Sequence, residues 1–152
     1  MTKGKFLTVE GVEGVGKSSN MDFICDLLER NHIPTVTTRE PGGTFCGERI
    51  REILLDKRVL DLSPVAELSL LFAARAQHVY EVIKPALDKG SWVVCDRFTD
   101  STYAYQGGGR QLSMQLIAAV EALTLDGFRP DYTLLLDLDV ADGLNRAANV
   151  GE

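Results

Sequence analysis

Gly11-Val12-Glu13-Gly14-Val15-Gly16-Lys17-Ser18 satisfies G-x-x-x-x-G-K-[ST] without a mismatch. The octet sits between an apolar run, Phe6-Leu7-Thr8-Val9-Glu10, and a segment of helical periodicity. In that setting the glycines let backbone N–H groups converge on phosphate oxygens, and the following helix N-terminus adds partial positive charge. Lys17 is placed to reach the β- and γ-phosphates of a nucleoside triphosphate, and the Ser18 hydroxyl to ligate Mg²⁺. Glu13 sets a carboxylate beside a phosphate site, which reads either as a solvated loop residue or as a group facing the hydroxyls of a second substrate. No basic residue precedes Lys17 in the loop, so charge that develops during transfer must be met from elsewhere.

Outward from the octet, short apolar strands alternate with amphipathic helices. From Lys17 to about Asn31 the apolar residues Met21, Ile24, Cys25 and Leu28 keep helical spacing, and Pro34 stops the helix. Thr35 to Thr38 reads as a β-branched strand, Pro41-Gly42-Gly43 as a turn, and Glu48 to Leu55 as a helix. Ser63-Pro64 is a strong helix start, and that helix is predicted to run towards Leu87 with a kink at Pro85. Trp92-Val93-Val94-Cys95 has the continuous apolar character of a strand buried on both faces of a parallel sheet. A helix is predicted from near Ser113 to before Gly127, a fourth strand over Asp131 to Leu138, and a further helix over Ala141 to Asn149. This alternation predicts an α/β fold, a parallel sheet flanked by helices, in one domain over residues 1–152.

The chain has 152 residues and a formal net charge of -6, from 22 Asp and Glu against 16 Lys and Arg. That balance argues against a nucleic-acid polymer as partner, since such binders need a basic face. No apolar run approaches the roughly 20 residues of a membrane span, and the start lacks the apolar stretch of an export signal. Cys25, Cys46 and Cys95 form neither a C-x-x-C pair nor a zinc ribbon, so reduced, structural thiols in the cytoplasm are expected.

In open parallel sheets, ligands bind beyond the carboxyl ends of the strands. Arg39 follows the second strand, and Asp96-Arg97 follows the third. Asp96 stands where a group holding the water shell of Mg²⁺ is expected, and the two arginines suit bidentate contacts to an acceptor phosphate or, alternatively, surface pairing with Glu40 and Asp100. Leu68, Phe72, Arg75 and Val79 share one helical stripe, so Arg75 interrupts an apolar face and needs a partner. Phe72 stacking on a base while Arg75 donates to a base carbonyl would satisfy both; the alternative is a core Phe72 with an Arg75 that snorkels to water. The segment Ser101-Thr102-Tyr103-Ala104-Tyr105-Gln106-Gly107-Gly108-Gly109-Arg110 mixes hydroxyls, aromatics and an amide, which suits a nucleoside pocket or a flexible loop.

Together these residues resemble the bacterial thymidylate kinases, P-loop nucleoside monophosphate kinases that phosphorylate dTMP with ATP. The matching pieces are E-G-x-E-G-x-G-K-S (Glu10 to Ser18), R-E-P-G-G-T (Arg39 to Thr44), L-F-A-A-R-A-Q-H (Leu71 to His78), C-D-R-F (Cys95 to Phe98) and S-T-Y-A-Y-Q-G-G-G-R (Ser101 to Arg110). The resemblance implies a three-layer P-loop NTPase fold, Gly11 to Ser18 for ATP, and Mg²⁺ served by Ser18 and Asp96. It implies catalytic roles for Lys17, Arg39, Asp96 and Arg97, with Arg39 and Arg97 on the dTMP phosphate. Phe72 and Arg75 would take the thymine, with Ser101, Thr102 and Gln106 lining the base pocket, Tyr105 under the deoxyribose and Glu13 near its 3′-hydroxyl. Such enzymes are typically cytoplasmic homodimers. They continue past the position of Glu152 with an arginine-bearing lid and a last strand and helices, and Arg146 is the first residue of that region here. Without a lid arginine, which is worth about 10³–10⁵ in rate, a chain ending at Glu152 is expected to bind nucleotide but turn over poorly. The alternatives are another small-molecule P-loop kinase and a non-catalytic nucleotide-binding module, the latter weakened for guanine by the absence of an N-K-x-D segment.

Overall fold

A computed structural model describes residues 3–59 and 61–149. Val150 to Glu152, where the resemblance expects a lid to begin, lie outside these residues. Four parallel strands, β1 (Phe6–Gly11), β2 (Thr35–Arg39), β3 (Trp92–Asp96) and β4 (Tyr132–Leu136), form one sheet in the order β2-β3-β1-β4. The register sets Arg39 beside Asp96, Asp96 beside Val9, and Gly11 beside Leu136. The carboxyl ends of all four strands therefore share one edge, and the chemistry-bearing residues gather there.

Helices cover both faces. Helix α1 (Lys17–Arg30) packs Met21 and Leu28 against Val9 and Val94. On the other face, α3 (Pro64–His78) and α6 (Met114–Leu125) bury Leu68, Phe72 and Ile117 with Phe6, Val93 and Phe98. Gly16 precedes α1 at φ 90°, a left-handed conformation that side chains resist, and no side chain caps the helix. The first N–H groups of α1 are thus left to an anion. Thr44 and Ser63 cap α2 (Phe45–Leu55) and α3 by accepting from Gly47 N and Ala66 N. The remaining helices are α4 (Lys84–Asp88), α5 (Thr99–Thr102) and α7 (Val140–Asn149).

Several boundaries differ from the sequence reading. Helix α2 starts at Phe45 rather than near Glu48, because Thr44 supplies the cap. Strand β4 is shorter, and neither of its ends reaches Asp131 or Leu138. The long helix does not run evenly to a kink at Pro85. It widens into a π-helical turn over Val79–Ile83, which contains Glu81, the i−4 carbonyl that the proline ring would otherwise strike. The segment after Ser101 is not a loop, since α5 continues into a π-helical stretch over Tyr103–Gly109. Of the three cysteines, Cys95 is buried, Cys25 half-buried and Cys46 exposed, so Cys46 is not the packed, structural thiol expected of all three.

Candidate active site

The phosphate loop leaves β1 at Gly11 and enters α1 at Lys17. Lys17 Nζ folds over it, donating to Gly11 O at 3.2 Å and Val12 O at 3.4 Å. Burial, and then the nearby Arg97, hold the Lys17 ammonium below its usual pKa, while Asp96, Glu13 and Glu10 pull the other way.

Beside the loop lies an open cavity of about 650 Å³. It is lined by Glu13, Arg39, Arg75, Asp96, Arg97, Ser101, Thr102, Tyr105 and Gln106, so the structure brings nine of the expected residues to one space. Ser18 and Asp96 share an adjoining cavity of about 510 Å³ with Asp22 and Arg39. Asp96 Oδ1 is buried with no hydrogen-bond partner, and no cluster of three metal-binding side chains occurs among the described residues. A hydroxyl and one orphaned carboxylate oxygen suit a magnesium ion whose other ligands are phosphate oxygens and water.

Phe72 departs from expectation. It is fully buried in the core and does not line the cavity. Its ring instead lies 4.8 Å from the Arg75 guanidinium carbon, which Phe98 flanks at 5.1 Å. The helix presents Leu71 to the cavity in its place, on a second stripe of Glu67, Leu71 and Arg75 at four-residue spacing. Arg75 belongs to both stripes.

Arg75 has the partner its burial demands. Its Nε donates to Glu40 Oε2 at 2.5 Å, Nη1 to Thr102 Oγ1 at 3.0 Å, and Nη2 to the Phe98 carbonyl at 3.1 Å. One further N–H remains on each terminal nitrogen. Glu40 Oε1 accepts from His78 Nδ1 at 2.9 Å, and His78 Nε2 lies 2.7 Å from Thr38 Oγ1. This buried chain ties the end of β2 to the cavity wall. A side chain at Gly43 would meet His78 Nε2 at 2.5 Å, so glycine is required where the following turn crosses it.

Arg39 and Arg97 are held differently from the pairings their neighbours in sequence offer. Arg39 pairs with Glu48 at 3.1 Å rather than with Glu40. The Gly43 N–H, and more weakly Arg39, hold the Glu48 carboxyl below the usual range. Arg97 donates to Ser101 Oγ at 3.1 Å rather than pairing with Asp100, and its guanidinium carbon lies 5.2 Å from the centre of the Tyr105 ring. Arg97 adopts φ 67°, a left-handed conformation costly for an arginine. Glu10 pins this turn, since its Oε1 accepts from Phe98 N at 2.7 Å and its Oε2 from Ser101 Oγ at 2.6 Å.

Sequence reasoning gave no site role to Glu10, Glu40, Glu67 or Leu71. Glu10 and Glu40 stand inside quoted motifs. Counting back from Arg75 in steps of four finds Leu71 and Glu67.

Residues 9–152 match the protein-family profile described as thymidylate kinase. A thymidylate kinase of Chromohalobacter salexigens is 56% identical over 152 residues, covering 99% of this chain and 72% of that protein. One of Teredinibacter turnerae is 54% identical over 144 residues, covering 95% of this chain and 70% of that one. The crystal structure of thymidylate kinase from Ehrlichia chaffeensis superposes with a TM-score of 0.81 at 36% identity, covering 97% of this chain and 78% of that one. With the phosphate loop, the parallel sheet and the arginine-lined cavity of the same chain, these matches place it in the thymidylate kinase family.

Proposed function

We propose that one P-loop kinase domain over residues 1–152 transfers the γ-phosphoryl group of ATP to dTMP, giving dTDP. The observation that carries this reading is the meeting of the phosphate loop with a cavity bearing Arg39, Arg75 and Arg97 on one sheet edge. ATP occupies Gly11 to Ser18, with Lys17 on its β- and γ-phosphates. The dTMP phosphate lies between Arg39 and Arg97. Arg75 donates its spare N–H groups to a thymine carbonyl, Leu71 supplies the apolar platform, and Thr102 and Gln106 complete the base pocket. Tyr105 lies beneath the deoxyribose, and Glu13 accepts from its 3′-hydroxyl.

No catalytic base is required, because a phosphate monoester, with a second pKa of about 6, is already a dianion near neutral pH. The residues instead align two anions that repel one another and neutralise the charge in flight. Mg²⁺, held by Ser18 and through water by Asp96, would add Lewis-acid neutralisation of the triphosphate. As in the enzymes resembled, the reading includes a cytoplasmic homodimer. Exposed Phe45, Tyr80 and Leu123 offer apolar surface for a second copy to cover, and among the described residues no helix is long and apolar enough to cross a membrane.

Incubation with ATP, Mg²⁺ and a panel of monophosphates tests the proposal. We expect dTDP to form in preference to dUDP, UDP and dCDP. Equal products from all acceptors would refute it. A second reading, a non-catalytic nucleotide-binding module, is favoured by no observation.

A further inference from the structure

Glu67 has a constrained setting that phosphate chemistry does not explain. It stands in the first turn of α3, largely buried, on the wall of the 650 Å³ cavity. Its Oε1 accepts from Gln106 Nε2 at 2.6 Å, and its Oε2 from Arg110 Nη2 at 2.6 Å. A carboxylate paired with an arginine accepts hydrogen bonds and donates none. The Gln106 atom facing it must therefore be the amide nitrogen, since a flipped amide would set oxygen against oxygen. The other end of that amide, Oε1, receives no protein donor among the described residues, while Gln106 lines the same cavity as Leu71 and Arg75.

Resting on the thymidylate reading of this cavity, we propose that Glu67 is a specificity-determining positioning residue. It clamps Gln106 so that the pocket offers an acceptor to the base ring and selects a pyrimidine protonated at N3. Thymine presents a carbonyl oxygen beside an N3–H, which matches a donating Arg75 beside an accepting Gln106 Oε1. Cytosine presents an amine and an unprotonated N3 in those places, and both are mismatched. A site built on fixed buried polar groups rejects such an analogue far more strongly than a shape-selective one.

Equilibrium binding of dTMP, dCMP and N3-methyl-dTMP to the intact chain and to Glu67→Gln, Gln106→Met and the double variant tests this. The neutral amide in Glu67→Gln can face Gln106 with either end, so the dTMP-to-dCMP affinity ratio should fall about tenfold. Gln106→Met should lower the ratio equally, and the double variant no further. Equal weakening of both ligands by Glu67→Gln, or no change in the ratio, overturns the proposal. Should Glu67→Gln not fold, N3-methyl-dTMP decides: the methyl group costs affinity in the intact chain and none in Gln106→Met. An equal cost in both overturns the clamp. An intact chain with no preference for dTMP over dCMP would remove the thymidylate reading itself, a result distinct from a preference that survives Glu67→Gln.

Discussion

Arg75 and Glu40 are 35 residues apart in the chain, yet Arg75 Nε lies 2.5 Å from Glu40 Oε2 with both side chains buried. Removing one partner strands the other charge in a low-dielectric environment. Arg75→Ala is therefore expected to destabilise the fold by about 3–5 kcal/mol, with Glu40→Gln/Arg75→Met costing clearly less. Urea unfolding at neutral pH reads both values. In the folded fraction, Arg75→Ala should raise the KM for dTMP far more than that for ATP. Equal rises would make Arg75 a structural residue only.

Leu71 and Phe72 are neighbours that face different spaces, Leu71 the cavity and Phe72 the core. Phe72→Ala is expected to cost about 3–5 kcal/mol through the core cavity it leaves, with dTMP affinity in the folded protein nearly kept. Leu71→Ala should weaken dTMP binding with a smaller loss of stability. Calorimetric titration beside denaturant unfolding separates the two. A larger affinity loss at Phe72 would restore the stacking role read from the sequence.

The charge on Lys17 sets an alkaline limit. An ATP analogue prefers the ammonium form, so affinity should fall as pH rises through a pKa lying below the ordinary 10.5. Removing the repulsion from Arg97 by Arg97→Met should move the midpoint of that fall to higher pH. Titrations from pH 8 to about 10.5 in matched ionic strength would show it. An unmoved midpoint would mean that Arg97 does not act on Lys17.

Much of the architecture was legible because local chemistry and global fold agree. The glycine octet, the Ser63-Pro64 cap and the apolar strands each announce one element, and the sheet edge follows from the parallel arrangement. The helical stretch from Thr99 to Gly109 was not legible. Three consecutive glycines and β-branched residues argue against a helix locally, and Glu10, 88 residues before Phe98, holds its start. The stripe through Phe72 was identified correctly, but periodicity alone does not say which stripe faces the core and which the ligand. Glu40 stands just before the Pro41-Gly42-Gly43 turn, and only folding brings Arg75 and His78 to its two oxygens.

Tyr103 donates to Glu121 Oε2 at 2.5 Å, and burial together with this bond pushes its pKa up to about 12. The folded state then keeps the phenol neutral where the unfolded chain, with a pKa of about 10, ionises. Its contribution to stability is complete below pH 10 and is lost as pH rises through about 12. Tyr103→Phe should accordingly reduce the alkaline loss of stability between these values, judged by urea midpoints against the intact chain. Parallel curves for the two proteins would refute this.

Glu10 belongs to the strand that runs into the phosphate loop, and both of its oxygens are engaged by the turn that carries Arg97. On the proposed reading, the floors beneath donor and acceptor are thereby riveted to a single beam. A displacement of one would have to break these bonds or carry the other along, which on that reading presets the gap between the two nucleotides.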